Sequence, residues 1–310
     1  MPKVIIAAGS PTVNQKWVEA FAALNPHWSV YAWREGQAED LADYAVVWQP
    51  SAELFQQQTA LKAVFNLGAG VDALNLEIFP THLPIYRLED AGMAHQMAEY
   101  AVYGVLHATK RFAVYEQQRV AKQWKKTAPV YRDEYPIGVM GMGVIGQQVV
   151  KALTALGYPL HVWTRTARDV EGLNTYHGPA QWDSFLQHSR ILINVLPLTN
   201  ETRGILNAQA FAQLLPDAYL INMARGAHIV DDDLLQAIET GQLSGALLDA
   251  FTIEPLPESH PFWQQPAIQI TPHISGMTII PETVRQLSKK LNDLEQSLPV
   301  TGLVKRELGY

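Results

Sequence analysis

Ile137-Gly138-Val139-Met140-Gly141-Met142-Gly143-Val144-Ile145-Gly146 is the stretch on which the reading of this chain turns. A short apolar run enters three glycines spaced G-x-G-x-x-G, and a helical pattern of Val149, Val150, Leu153 and Leu156 leaves them. A dinucleotide-binding turn needs that order. Gly141 permits the tight turn, Gly143 lets the backbone approach a pyrophosphate, and Gly146 lets the helix pack on its strand. The helix N-terminus then offers unpaired N–H groups, with Met142, Val144 and Ile145 in the same turn, and the positive end of its dipole. Three spaced glycines also occur in ordinary loops, so the strand before and the helix after carry the reading.

Upstream of this turn, Val4–Ala8, Val30–Trp33, Tyr44–Trp48, Ala63–Leu67 and Ile85–Leu88 read as buried strands, and Val13–Leu24 has a helical period. Their alternation predicts a parallel sheet covered on both faces. Leu67-Gly68-Ala69-Gly70-Val71-Asp72 follows the fourth strand. Small residues there leave N–H groups accessible at the edge where open α/β sheets bind ligands, although composition alone reads as a glycine-rich turn. One long helix is expected from Gly92 to Val120, crossing between domains. Lys122–Asp133 reads as a polar loop or an arm reaching a second subunit, with Lys122, Lys125 and Lys126 on a solvated surface.

Downstream, the strand Leu160–Trp163 ends in Thr164-Arg165-Thr166-Ala167-Arg168, and the first acid is Asp169. A site for a free ribose diol would usually offer Asp or Glu at the strand end. A hydroxyl and a guanidinium fit a 2′-phosphate better. NADP(H) is therefore the preferred cofactor, with NAD(H) possible, and Arg165 is the first candidate for the phosphate ahead of Arg168. Further strands are expected at Ile191–Val195, Tyr219–Asn222 and Gly245–Leu248. Helices are expected at Asn207–Leu214 and Asp231–Glu239, with Asp231 capping or supporting the latter. Pro281–Leu298 is an amphipathic helix expected to return to the first domain. That gives a discontinuous substrate domain (1–92 and 276–310) and a nucleotide domain (93–275), with the active site in the cleft between them.

Composition narrows the function classes. A length of 310 residues suggests two domains, and 48% hydrophobic with 17% charged residues is ordinary for a globular protein. A net charge of -7 argues against a nucleic-acid partner. With no cysteine there is no disulfide or thiolate nucleophile, which fits a reducing cytosol. The N-terminal apolar run reads as too short for a signal peptide, no segment reaches the length of a membrane span, and no metal cluster is recognisable. Cytoplasmic localisation is expected.

Three titratable or charged residues stand in distinctive settings: Arg225 in Asn222-Met223-Ala224-Arg225-Gly226, Glu254 in Phe251-Thr252-Ile253-Glu254-Pro255, and His273 in Thr271-Pro272-His273-Ile274. Arg225 and Glu254 each follow an apolar run, so strand ends could bring all three to one sheet edge, but spacing alone does not show that they converge.

Taken together the motifs resemble the D-isomer-specific 2-hydroxyacid dehydrogenase family over nearly the whole length. The resemblance rests on the glycine turn, Asn194-Val195-Leu196-Pro197-Leu198-Thr199 with Thr202, Ile221–Gly226, Leu248-Asp249-Ala250-Phe251, Glu254-Pro255-Leu256-Pro257 and Thr271-Pro272-His273. More narrowly, Trp48, Trp163–Thr166 and the C-terminal Gly309-Tyr310 resemble its glyoxylate/hydroxypyruvate reductase A branch. The resemblance implies an α/β fold of two parallel, doubly wound sheets, a Rossmann nucleotide domain and a flavodoxin-like substrate domain, and a homodimer held through the long helix and the arm. It implies that His273 donates the proton in ketoacid reduction, a role suited to imidazole's reference pKa of about 6.5. Glu254 orients that ring and favours its protonated form. Arg225 binds and polarises the substrate, Ala69 and Gly70 hold its carboxylate, and Trp48 walls a small pocket. Leu196, Pro197, Thr202, Met223 and Ala224 line the cofactor site, and Asp249 bonds the nicotinamide carboxamide.

The implied reaction is NADPH-dependent reduction of glyoxylate to glycolate and hydroxypyruvate to D-glycerate. An NAD-linked D-lactate-type or bulkier 2-ketoacid enzyme is the rival within the class. Phosphoglycerate dehydrogenase fits less well, because no extra C-terminal regulatory domain follows. From a different class, a catalytically idle dinucleotide sensor would share the fold, but retention of Arg225, Glu254 and His273 weighs against it.

Overall fold

A computed structural model describes residues 1–36, 40–71, 74–168 and 170–307. Asp72, Asp169 and the Gly309-Tyr310 pair lie outside the described residues. The chain divides into two compact units, Met1–Gly92 with Thr278–Tyr310, and Met93–Met277.

The first unit begins with β1 (Lys3–Ala7), α1 (Pro11–Leu24), β2 (Ser29–Ala32), β3 (Tyr44–Val47), α2 (Ala52–Gln57), β4 (Ala63–Asn66) and β5 (Ile85–Arg87). Its strands pair in parallel in the order β2-β1-β3-β4-β5, the doubly wound order of flavodoxin-like sheets. β3 and β4 are buried at every position, because helices or loops cover both faces of a parallel sheet. Ser10 caps α1, its hydroxyl accepting the Val13 N–H at 3.4 Å.

The second unit runs α3 (Met93–Thr109), α4 (Phe112–Val120), β6 (Ile137–Met140), α5 (Val144–Ala155), β7 (Leu160–Thr164), β8 (Asn174–His177), α6 (Trp182–Gln187), β9 (Ile191–Asn194), α7 (Ala208–Gln213), β10 (Ala218–Asn222), α8 (Asp231–Glu239), β11 (Leu243–Leu248) and β12 (Ile268–Ile270). Its seven strands are parallel in the order β12-β11-β10-β9-β6-β7-β8. The chain winds outward from β6 through β7 and β8, then resumes on the other side at β9. The glycine turn after β6 thus stands at the topological switch point, where open sheets take their ligands. This is a Rossmann sheet with an added edge strand. After it, α9 (Ile280–Glu295) returns to the first unit, burying Val284, Leu287 and Leu291, and Asn25 of the α1 C-cap donates to Ser288 Oγ at 2.8 Å.

Three expectations are corrected. The single helix over Gly92–Val120 is two, because Arg111 adopts the left-handed region with φ 55° and cannot continue a right-handed helix. The apolar period runs on past the break, but no residue of α4 is buried. The edge strands β8 and β12 escaped notice because edge strands are short or polar, as Asn-Thr-Tyr-His and Ile-Gln-Ile are. Asp231 is the first helical residue of α8 and not its cap. Its carboxylate faces His260 Nε2 at 3.3 Å, and burial pushes its pKa up against the pull of that ring.

Candidate active site

Arg225, Glu254 and His273 follow β10, β11 and β12, three strands that are neighbours in the sheet and run in the same direction. Their loops therefore leave from one edge. Glu254 Oε2 lies 2.8 Å from His273 Nδ1, and Glu254 Oε1 accepts the Phe251 N–H at 2.8 Å. An ionised carboxylate only accepts, so Nδ1 carries the hydrogen and Nε2 is left for other chemistry. His273 holds φ 55°, a left-handed backbone that most side chains avoid.

Asp249 imposes that backbone. Its carbonyl accepts the His273 N–H at 2.9 Å. Its carboxylate, fully buried, accepts the Thr271 hydroxyl at 2.6 Å and the Ile274 and Ser275 N–H groups at 2.8 Å each. Thr271 in turn meets the Tyr100 hydroxyl of α3 at 2.6 Å. Burial above all keeps that phenol's pKa raised, with the charge of Asp249 adding to it and the Thr271 bond opposing it.

The Arg225 loop is built from the strand ends beside it. Asn222 donates to the Arg225 carbonyl at 3.1 Å and accepts from Asn194 at 2.9 Å, while Asn194 accepts the Leu196 N–H at 3.1 Å. His228, also fully buried, places Nδ1 3.1 Å from the Arg225 carbonyl and Nε2 3.3 Å from that of Pro197. A Cβ on Gly226 would sit 2.1 Å from the Phe251 carbonyl carbon, so only glycine lets the Arg225 loop lie on the backbone that leads to Glu254. The guanidinium itself donates to the Ala224 carbonyl at 2.7 Å.

The glycine turn has the form a pyrophosphate requires. Gly141 has φ 109°, and a Cβ on Gly146 would come within 2.1 Å of the Gly141 carbonyl oxygen. Gly143 stands at the N-cap of α5 with open space where a Cβ would point, and no side chain caps the helix. Its first-turn N–H groups face outward, including those of Val144 and Ile145. Beside the turn, the Thr164 hydroxyl donates to the Thr166 carbonyl at 2.8 Å, and Arg168 Nη1 donates to the Met142 carbonyl at 2.7 Å. Arg165 is exposed. The Thr202 hydroxyl closes its own loop on the Pro197 carbonyl at 2.8 Å, and Met223 and Ala224 are buried at the end of β10.

In the first unit, Trp48 lies against Gly68, where a Cβ would come within 2.4 Å of the indole. Among the described residues, the N–H groups of Ala69 and Gly70 meet no acceptor.

Residues 102–275 match the model of the D-isomer specific 2-hydroxyacid dehydrogenase NAD binding domain. The chain belongs to the D-isomer-specific 2-hydroxyacid dehydrogenase family. It is 43% identical over 302 residues to a glyoxylate/hydroxypyruvate reductase A of Serratia proteamaculans, covering 96% of each chain. Among solved structures, a D-isomer specific 2-hydroxyacid dehydrogenase of Xanthobacter autotrophicus in complex with NADPH and MES superposes with a TM-score of 0.92 at 31% identity, over 100% of this chain and 99% of that one. An NADPH-dependent glyoxylate/hydroxypyruvate reductase of Sinorhizobium meliloti in complex with NADP and sulfate gives 0.91 at 33% identity, over 100% of both.

This 2-hydroxyacid dehydrogenase family member is an oxidoreductase, and its structure gives roles to residues to which the sequence assigned none. Asn66, Asn194 and Asn222 each end an apolar strand and are fully buried. A polar residue closing an apolar strand at the ligand edge was the available signal. His228 offered none, being one of ten histidines.

Proposed function

We propose that this dehydrogenase reduces small 2-ketoacids with NADPH, glyoxylate to glycolate and hydroxypyruvate to D-glycerate. The observation that carries the reading is the Glu254–His273 pair, held at 2.8 Å between the loops after β11 and β12, beside the Arg225 loop after β10. Similarity to glyoxylate/hydroxypyruvate reductases along almost the full length supports the substrate class.

NADPH, when bound, would supply the hydride for the substrate's carbonyl carbon. The open N-terminus of α5 and the unfilled space at Gly143 suit its pyrophosphate. Thr164, Arg165 and Thr166 take the 2′-phosphate, with Arg168 bridging to the glycine turn. Arg225 draws on the carbonyl oxygen and carboxylate, stabilising the charge that grows on oxygen as the carbon is reduced. His273 Nε2 delivers the proton to that oxygen, and Glu254 stabilises the imidazolium beforehand and holds its ring afterwards. Ala69 and Gly70 hold the substrate carboxylate through their N–H groups, and Trp48 limits substrate size. Asp249 is assigned to the nicotinamide carboxamide by family resemblance, and its buried carboxylate also holds the loop that carries His273. The compartment that goes with this reading is the cytoplasm.

Initial rates of NADPH and NADH oxidation with glyoxylate and hydroxypyruvate test the reading. Fast NADPH oxidation with both substrates supports it. Preference for NADH removes the 2′-phosphate assignment, and turnover only with bulkier ketoacids removes the substrate. Within this scheme, Arg165→Ala raises the KM for NADPH about tenfold and leaves that for NADH nearly unchanged, reflecting loss of one charge-assisted contact. Equal effects on both cofactors would count against its phosphate role.

We also assign a homodimer through the second unit's α3, α4 and the arm that follows. Tyr103, Phe112, Tyr115 and Val120 are exposed there, and Trp124 is 99% exposed. An apolar surface of that kind on a soluble enzyme marks an interaction site. Sedimentation equilibrium should give twice the chain mass, with Val120→Glu/Trp124→Glu shifting it to one; a monomeric wild type at micromolar concentration would refute the assignment.

A further inference from the structure

We propose that Asn66 and Arg87 are positioning residues that aim the N–H groups of the turn after β4 at the substrate carboxylate. This rests on the carboxylate role given above to Ala69 and Gly70. The turn's carbonyls are all tied back. Asn66 Nδ2 donates to the carbonyls of Gly68 and Gly70 at 3.0 Å each, and Leu88 N–H donates to that of Gly68 at 3.2 Å. Arg87 Nη1 donates to the Ala69 carbonyl at 3.4 Å and to that of Leu88 at 3.1 Å. In a trans peptide the N–H points opposite to the preceding carbonyl. Anchoring the oxygens of Gly68, Ala69 and Gly70 therefore turns the N–H groups of Ala69, Gly70 and Val71 the other way. Among the described residues none of the three meets an acceptor. Successive N–H groups presented on one side form a concavity for an anion.

The Asn66 side chain has a feature that strand packing does not explain. It is fully buried at the end of an otherwise apolar strand, and its Oδ1 has no partner. Both groups facing Nδ2 are carbonyl acceptors, so turning the amide over would set oxygen against oxygen. A leucine would finish β4 without leaving a buried oxygen unpaired. What the amide contributes is two N–H donors on one nitrogen, one for each carbonyl flanking Ala69. Arg87 adds a positive charge behind the same turn. Among the described residues it makes no ion pair, and the neighbouring Glu89 carboxylate is held by Lys290 at 3.0 Å. A guanidinium fixed there favours a carboxylate on the N–H side.

The test compares Asn66→Leu, Asn66→Asp and Arg87→Met with wild type, reading KM and kcat for glyoxylate, KM for NADPH, melting temperature, and binding of the ketoacid analogue oxamate by calorimetry. The expected result is a rise of about ten- to hundredfold in both the glyoxylate KM and the oxamate Kd for the Asn66 variants. Asn66→Asp shows the larger rise, because its carboxylate repels the two carbonyls. Arg87→Met shifts both quantities in the same direction by less, and Arg87→Lys recovers part of the loss. The KM for NADPH stays within twofold. An unchanged glyoxylate KM and oxamate Kd in a folded Asn66→Leu protein would overturn the proposal, as would parallel rises in the KM for glyoxylate and NADPH. If Asn66→Leu does not fold, Arg87→Met decides by the same criteria. Wild-type protein that binds oxamate but turns over no ketoacid would instead defeat the reaction, and the oxamate affinities would still judge Asn66.

Discussion

Replacing His273 by asparagine lowers kcat for glyoxylate reduction about a hundred- to ten-thousandfold while NADPH binding stays intact. Asparagine is the informative substitution because position 273 holds φ 55°, a backbone region that Asn tolerates better than most residues. The loop is held through the main-chain N–H of residue 273 and the next two N–H groups on Asp249, none of which the substitution removes. The change therefore takes away the proposed proton donor and leaves the loop. Stopped-flow single turnover separates chemistry from product release, and fluorescence titration with NADPH measures binding. A variant that retains a tenth or more of wild-type kcat would refute the proton-donor assignment.

The second large effect is expected at Arg225. Changing it to glutamine should lower kcat/KM about a hundred- to thousandfold, the range seen when a donor aimed at developing oxyanion charge is lost. Both KM and kcat contribute, because the guanidinium is assigned to the substrate carboxylate in the ground state and to the carbonyl oxygen in the transition state. Lysine does not restore it, since a point ammonium cannot reproduce the planar fork. The loop itself should survive. Its carbonyl, held by Asn222 and facing His228, belongs to the backbone, and Gly226 still lies against Phe251. Steady-state kinetics with unchanged thermal stability checks this. Wild-type kcat/KM in a folded Arg225→Gln protein would remove the arginine from the reaction.

The parts of the molecule legible from sequence are those whose physics is local. The glycine turn is one: a left-handed φ at Gly141 and a missing Cβ at Gly146 are properties of single residues at fixed offsets from a strand and a helix. The buried strands are another, because a parallel sheet covered on both faces writes itself as continuous apolar runs. The division between α3 and α4 was hidden, because the apolar period continues through Arg111 although α4 buries none of its residues. The edge strands β8 and β12 were hidden because edges carry the weakest pattern.

The proposed catalytic edge needed more. Arg225, Glu254 and His273 span positions 225 to 273, and no period or spacing links them. Family resemblance singled them out. Their convergence comes from strand order, with β10, β11 and β12 adjacent and parallel so that three separate loops leave from one edge. The buried polar side chains at the strand ends were legible as positions, but their partners on other strands were not. Asn66, Asn194 and Asn222 bond main-chain groups two to four residues further on. But Asn194 also meets Asn222 on the neighbouring strand, His228 also faces the Pro197 carbonyl, and the Asp249 carboxylate takes the Ile274 and Ser275 N–H groups of the loop after β12. A chain's own order specifies which residues are apolar, where it turns, and where glycine is required. Which polar side chains meet across strands, as Asn194 meets Asn222 and Asp249 meets the loop that carries His273, depends on distances across the sheet, and those exist only once the strands have paired.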